Sequence, residues 1–356
     1  MNKPEGKLLI GKCEEVLASY PDNFFTCVVT DPPYGLSNSP DMAEVLACWD
    51  AGKPYVHNSK GFMGREWDSF VPGPNVWKEI MRTLQPSGHV LSFSGSRTYD
   101  LMVKAMEIAG NDFDCHLSGY RSWTYGSGFP KSMNIGKGVA KKTECEEEAK
   151  LWEGYGTALK PAHEPVAVFT KGKGEPLSTD SLFYYIPKAN KKERNAGCDE
   201  LYWLTENGGH KALSKEEYDA HVEAGDTVAV GNIWPTVKPV ELMRQLIRLV
   251  KREGQNVILD PFMGSGTTLV AAILEGCDYV GIDADGTAIR ISEARVRNAI
   301  ENPVVDKPVK VKKAKKSKKP TKAQVVGVKK FIEKGLDVEI VASMTGLTVD
   351  QVENLK

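Results

Sequence analysis

Val257-Ile258-Leu259-Asp260-Pro261-Phe262-Met263-Gly264-Ser265-Gly266-Thr267-Thr268 is the stretch whose reading decides the fold. A short apolar run ends in an acid, a glycine-rich turn follows, and Thr267 to Glu275 has helical character. Gly264 and Gly266 allow the backbone to come close to a ligand. Nineteen residues after Gly264, Asp283 closes a second apolar run, Tyr279 to Asp283. An acid so placed can accept hydrogen bonds from ribose hydroxyls. Strand, glycine turn, helix, strand and spaced acid together suit a nucleoside-containing cofactor at the carboxyl edge of a sheet. The third glycine of a GxGxxG fingerprint is absent, as is the Gly-Lys-Ser/Thr of a phosphate-binding P-loop.

Working toward the N-terminus, the same alternation recurs. Thr26 to Thr30 reads as a buried strand, Trp77 to Leu84 as a helix ended by Pro86-Ser87-Gly88, and His89 to Phe93 as a strand. Tyr99 to Ala109 reads as a helix stopped by Gly110. Pro165 to Phe169 reads as a strand, and Pro239 as the first residue of a helix carrying Leu242, Leu246 and Leu249. Strands alternating with helices predict a parallel sheet covered on both faces. Directly after the strand 26–30 stands Asp31-Pro32-Pro33-Tyr34. Its prolines fix the backbone and remove two N–H donors. Carbonyl oxygens, a carboxylate and an aromatic ring remain, a set suited to a planar heterocycle bearing an NH2 group.

These two segments resemble the catalytic and cofactor motifs of the DNA methyltransferases that modify exocyclic base amines. The catalytic motif comes first and the cofactor motif last, which resembles the β-class order. Residues 123–131, 158–165 and 187–195 resemble segments of phage and prophage members, and Pro235 to Pro239 resembles the family's cofactor-flanking motif. The resemblance covers residues 5–300. It departs at Trp234, where many relatives carry histidine, and at residues 199–230, which match nothing and read as an insertion that changes target contacts.

The resemblance implies a Rossmann-like, doubly wound α/β fold with a mostly parallel seven-stranded methyltransferase sheet. Residues 1–120 would be its catalytic half and 121–235 a target-recognition region with returning strands. Residues 236–302 would be the cofactor-binding half, 303–322 a lysine-rich linker, and 323–356 a small helix-turn-helix-like module. It implies S-adenosylmethionine as cofactor, lined by Asp260, Phe262, Gly264, Ser265, Gly266 and Thr267. Asp283 would hold the ribose, and Thr236 and Lys238 would close the methionine end. The catalytic set is Asp31, Pro32, Pro33 and Tyr34. Asp31 and the Pro32 carbonyl would accept the hydrogens of adenine N6 and aim its lone pair at the methyl group. Tyr34 would stack on a base flipped out of duplex DNA.

Asp31 stands where N4-cytosine enzymes more often have serine, which favours adenine; N4-cytosine methylation is the alternative. C5-cytosine methylation is rejected, because none of the seven cysteines follows a proline. A DNA-binding regulator without turnover is the reading from another class, and the intact 31–34 set argues against it.

Double-stranded DNA is the expected partner. Arg121, Lys131, Lys160, Lys188, Lys191, Lys192 and Arg194, amid Trp123, Tyr125 and Phe129, are candidates for phosphate contact. His163-Glu164 is read as a strand-edge hydrogen bond or a DNA contact, since the rest of a metal-binding HExxH is missing. Nine lysines and no acid lie between Lys307 and Lys322; without them 37 basic residues face 47 acidic ones, so any DNA surface on the main body is a local patch. The scattered, odd-numbered cysteines predict reduced thiols and no metal site. With no long apolar run and no apolar leader, the chain is expected to be cytoplasmic and away from membranes. A homodimer and a cognate restriction nuclease fit the family and are not derivable from the residues.

Overall fold

The computed structural model describes residues 4–38, 40–59, 61, 66–125, 134–156, 162–174, 186–206, 209–303, 322–333, 338, 341 and 352–355. The chain divides into two compact units, 1–304 and 305–356.

The first unit is built on a seven-stranded sheet. Its strands are β1 (Gly6–Ile10), β2 (Phe25–Thr30), β3 (Leu84–Phe93), β4 (Cys115–Thr124), β5 (His163–Lys171), then β9 (Val257–Asp260) and β10 (Asp278–Asp283). Between them in the chain, β6 (Tyr202–Glu206), β7 (Gly209–Leu213) and β8 (Val228–Val230) form a separate sheet. The order in the large sheet is β1-β10-β9-β2-β3-β5-β4. Strand β5 runs antiparallel to both its neighbours, and the other pairs are parallel. This is the expected doubly wound, mostly parallel sheet. From β2 the chain proceeds to β3 on one side, and from β9 to β10 on the other. Strands β2 and β9 are neighbours, with Cys27 opposite Ile258 and Val28 opposite Leu259. Their junction is the topological switch point, where ligands of open α/β sheets bind.

The uninterrupted apolar run of β2 follows from burial on both faces. Cys27, Val29 and Ile258 point to one layer, with Leu242, Met243 and Ile247 of helix Val240–Val250 and Leu269 of helix Thr267–Leu274. Val28, Leu259 and Val280 point to the other, with Trp77, Ile80 and Met81 of helix Pro74–Thr83 and Met102 and Met106 of helix Tyr99–Gly110. Packing of this kind, rather than propensity, fixes which face of each helix turns inward.

Local punctuation departs from expectation in three places. Pro86-Ser87-Gly88 does not separate helix from strand: β3 begins at Leu84 and absorbs the segment through a register shift opposite β2, with Ser87 at φ 62°. Gly110 is the last residue of its helix, and the reversal falls to left-handed Asp114 at φ 49°. Pro239 sits at the N-cap, with ψ 135°, so the helix starts one residue later. Strands β1 and β4 carry too little apolar patterning to be anticipated; pairing with β10 and β5 decides them.

The unmatched stretch is the small sheet. β6 lies between β7 and β8, and helix Lys215–Ala224 starts from a capping box at Ser214 and Glu217. Trp203 is buried and donates its indole N–H to the Gly231 carbonyl at 2.9 Å. It packs in one cluster with Trp234, Val237 and Ile291, tying this sheet to the cofactor-side helix Gly286–Glu301.

In the second unit, helix Lys322–Glu333 is described and Val328, Val341 and Val352 are buried together with Phe331, Ile332 and Leu355. Most of the rest of the helix-turn-helix-like module expected over 323–356, and the lysine run, lie outside the described residues. Among the described residues no helix is long and apolar enough to cross a membrane.

Candidate active site

The loops after β2 and β9 meet. Thr30, the last residue of β2, donates its hydroxyl to Asp260 Oδ1 at 2.7 Å, and Phe262 N–H reaches the same oxygen at 3.2 Å. The turn at 31–34 is held from below. Buried Asp68 accepts the backbone N–H groups of Tyr34 and Gly35 at 2.8 and 3.1 Å, and Thr98 donates to the Tyr34 carbonyl at 2.6 Å. Neither Asp68 nor Thr98 has a sequence signal; they are found only through the turn they hold.

The glycine turn is equally fixed. Gly264 and Gly266 have φ 49° and 73°, in the left-handed region. Gly264 N–H donates to Asp283 Oδ2 and Asp285 N–H to Oδ1, each at 2.9 Å. The Ala284 N–H is a third backbone donor to this carboxylate, which still has acceptor capacity for a ligand hydroxyl. From helix Gly286–Glu301, Ser292 donates to the Gly264 carbonyl at 2.8 Å. The buried Arg295 guanidinium donates to the Ser265 carbonyl at 2.7 Å, the Ser265 hydroxyl at 3.0 Å and the Thr267 hydroxyl at 2.9 Å. Burial pushes Asp260 up to about 7 and Asp283 up to about 6, and pulls Arg295 down to about 10.

Both turns open into one cavity of about 1250 Å3. At its floor four groups meet. The Lys238 ammonium pairs with Asp31 Oδ2 and lies 3.3 Å from Glu164 Oε2. The Tyr34 hydroxyl lies 2.7 Å from Asp31 Oδ1 and 2.9 Å from Glu164 Oε2, one proton between two acceptors. Burial raises Asp31, with Lys238 opposing and Glu164 reinforcing the rise. For Glu164 burial acts upward, but Lys238 and the Tyr34 hydroxyl outweigh it and hold the group below its ordinary value. Burial pulls Lys238 down, and the two carboxylates more than restore it. Glu164 and Lys238 are thus held toward their charged forms, while burial pushes Asp31 the other way.

A family described as DNA methylase, spanning the N6 and N4 methyltransferases, matches residues 25–294. The chain belongs to this family. The type II methyltransferase M.HindIII of Haemophilus influenzae is 27% identical over 223 residues, 61% of this chain and 66% of that protein. M.HinfI, from the same species, is 24% identical over 305 residues, 83% of this chain and 69% of that protein. The matched part thus spans about two thirds of these relatives' length. The solved PvuII DNA methyltransferase, cytosine-N4-specific by its description, superposes with a TM-score of 0.50 at 16% identity, covering 85% of this chain and 96% of that one. That likeness concerns the fold alone.

S-adenosylmethionine, the cofactor of this DNA methylase family, is compatible with the cavity on a structural test. A Cβ on Gly264 would come within 2.8 Å of Trp234 Nε1, so the turn leaves room only for a bare backbone. Asp283, Asp260, Phe262, Ser265 and Thr267 all face the same space, as does Thr236 on the opposite wall. Lys238 lines the same cavity as Thr236, with its ammonium turned to Asp31 and Glu164. Tyr34 lines the cavity too, 9% exposed, with its hydroxyl held inside the cluster. Glu164, expected as an edge or DNA contact, is part of the buried floor. Trp234 stacks on Trp67 with rings 5.9 Å apart and 9° from parallel, and both line the cavity.

The basic candidates separate. Lys191 and Lys192 are exposed on the short helix Lys191–Arg194. Lys188 caps the Tyr125 ring at 4.3 Å beside the cavity. Arg194 is turned inward, donating to the Trp234 carbonyl at 2.6 Å and the Pro235 carbonyl at 3.4 Å, which anchors the 232–238 segment. Arg121 on β4 is half-buried and donates to the Tyr120 carbonyl at 2.9 Å. Lys131 and Lys160 lie outside the described residues, as does Phe129. Residues 199–230 carry eight acidic side chains against two lysines, a balance that argues against this insertion lying along phosphates.

Proposed function

We propose that this chain methylates N6 of adenine in double-stranded DNA, with S-adenosylmethionine as donor. The observation that carries the reading is the placement of Asp31. A carboxylate at the carboxyl end of β2 shares a cavity with the glycine turn and ribose-type acid at the ends of β9 and β10. S-adenosylmethionine supplies an electrophilic methyl group carried on a sulfonium.

The chain's own groups do the rest. Asp283 accepts ribose hydroxyls, Gly264 and Ser265 present backbone close to the ligand, and Phe262 packs along it. Asp31 and the Pro32 carbonyl accept the two hydrogens of the amine. That localises the nitrogen lone pair and stabilises the positive charge that grows as the new N–C bond forms and the donor's S–C bond breaks; the sulfur keeps that electron pair, and the methylated nitrogen gives up one N–H proton toward Asp31. Pro32 and Pro33 keep the two acceptors rigid. A base inside a duplex cannot reach this floor, so it must be flipped out, at a cost of a few kcal/mol. Lys191, Lys192 and Lys188 would contact the flanking phosphates.

Incubation with unmethylated genomic DNA and labelled cofactor, followed by nucleoside analysis, tests the reading. N6-methyladenine is expected. N4-methylcytosine would move the specificity to the other branch of the family, and absence of label in DNA would refute the activity. Asp31→Ala should abolish the label while leaving cofactor binding in place.

A further inference from the structure

Both oxygens of Asp31 are engaged in this structure, one by the Lys238 ammonium and the other by the Tyr34 hydroxyl. A carboxylate held in this way keeps acceptor capacity on each oxygen, but the paired ammonium and the donated hydroxyl weaken it as an acceptor for the hydrogens of an incoming amine. Glu164 competes for both of these donors. It stands on β5, across β3 from the catalytic strand, and reaches both groups that hold Asp31: Lys238 Nζ at 3.3 Å and the Tyr34 hydroxyl at 2.9 Å. Its other oxygen lies 3.4 Å from the Tyr125 hydroxyl, which fixes its orientation. Among the described residues, the ion pairs of Lys238 are with these two carboxylates alone.

Packing does not demand this arrangement. An isolated Asp31–Lys238 pair would be neutral, and a second buried carboxylate adds a desolvation cost that a merely structural pair avoids. What the second carboxylate changes is the charge. Glu164, held below its ordinary value, adds negative charge to the floor, complementary to a cationic donor and to the charge that develops on the amine.

We propose that Glu164 is a positioning residue for methyl transfer: it takes over the Lys238 ammonium and the Tyr34 hydroxyl, so that Asp31 is released, still charged, to the amine. The proposal rests on the reading of Asp31 as the amine acceptor. Without Glu164, Lys238 would remain on Asp31 and neutralise it.

Single-turnover rates on unmethylated genomic DNA with labelled S-adenosylmethionine, for wild type, Glu164→Gln, Lys238→Met and the double variant, test this. Glu164→Gln is expected to lower the transfer rate about 100-fold, the scale of losing one preorganised electrostatic contact. Cofactor affinity by calorimetry should stay within about threefold of wild type. The acid limb of the rate profile should move to lower pH, because the Glu164 charge that raises Asp31 is gone. The decisive readout is coupling: in a protein already lacking Lys238, the Glu164 substitution should cost almost nothing further. If the two losses multiply instead, or if Glu164→Gln transfers methyl groups at the wild-type rate, the proposal is overturned. Should Glu164→Gln fail to melt cooperatively, Glu164→Asp carries the same test, with a partial rate loss that Lys238→Met must again suppress. Failure of the underlying reading would look different: wild type would label no DNA, or Asp31→Asn would be fully active, and either result removes this inference together with that reading.

Discussion

Thr30 and Asp260 are joined by a 2.7 Å hydrogen bond although 230 residues separate them in the chain. The bond clamps β2 to β9 where the sheet changes direction, and sets the distance between the amine-accepting turn and the glycine turn. Thr30→Val keeps the shape and removes the donor. The buried Asp260 carboxylate would then lose one of its partners, at about 1–3 kcal/mol. Denaturant unfolding should show that loss. Cofactor affinity should fall with it, while Thr30→Ser, which keeps the hydroxyl, should stay near wild type in both measurements.

Gly264 offers a sharper test of the cofactor side. It combines φ 49° with a 2.8 Å approach of any added Cβ to Trp234 Nε1. Gly264→Ala is therefore strained twice, in its backbone and against the indole, at about 1–3 kcal/mol. The expected outcome is a lower melting temperature and at least about tenfold weaker S-adenosylmethionine binding, one decade per 1.4 kcal/mol. Pairing the substitution with Trp234→His, which shortens the opposing ring, should recover part of the binding but not the backbone strain. Wild-type affinity in Gly264→Ala would mean that the turn does not approach the ligand.

How much of this was legible in the residues depends on where the information sits. The runs at 26–30, 257–260 and 279–283 announce central strands because both their faces are buried. The two motifs announce the switch point because glycine, proline and acid are needed there for local backbone reasons. Asp68 and Thr98 are invisible in sequence, and Glu164, read there as an edge or DNA contact, gives no sign of its partners. Each acts on a turn 34 to 130 residues distant, and only the sheet order brings them together. Lys238 is intermediate: its motif marks it as functional, but its partner is chosen by the geometry of β2 and β5. The same holds for Arg194, since a basic residue in a basic segment gives no sign that its guanidinium donates to the Trp234 and Pro235 carbonyls.

That difference predicts distinct salt behaviour. Lys191→Ala with Lys192→Ala should weaken binding to any duplex and reduce the slope of log affinity against log salt by about two, one per phosphate contact. Folding should be unaffected, because both side chains are exposed. Arg194→Ala should leave the salt slope unchanged and instead lower stability by about 1–3 kcal/mol, by leaving the Trp234 carbonyl without its donor. A reduced slope in Arg194→Ala would return that residue to the DNA surface.

The acids at the carboxyl edge give the pH dependence. Burial raises Asp283 from 3.8 to about 6 and Asp260 from 3.8 to about 7. In the free protein both folded values exceed the unfolded ones, so the folded state holds more protons between them. This contribution to stability is complete below pH 3.8 and is lost as pH rises through about 6 to 7. Cofactor binding has the opposite sign, because ribose hydroxyls are bound best by the ionised carboxylate. S-adenosylmethionine affinity should therefore fall as pH drops below about 6, approaching tenfold per unit for one group. Calorimetry in buffers of different ionisation enthalpy should show protons released on binding at pH 6 and few at pH 8.5. Asp283→Asn should bind weakly at every pH and lose the part of that dependence owed to Asp283, leaving any remainder near pH 7 to Asp260. An unchanged pH profile in that variant would remove Asp283 from the ribose site.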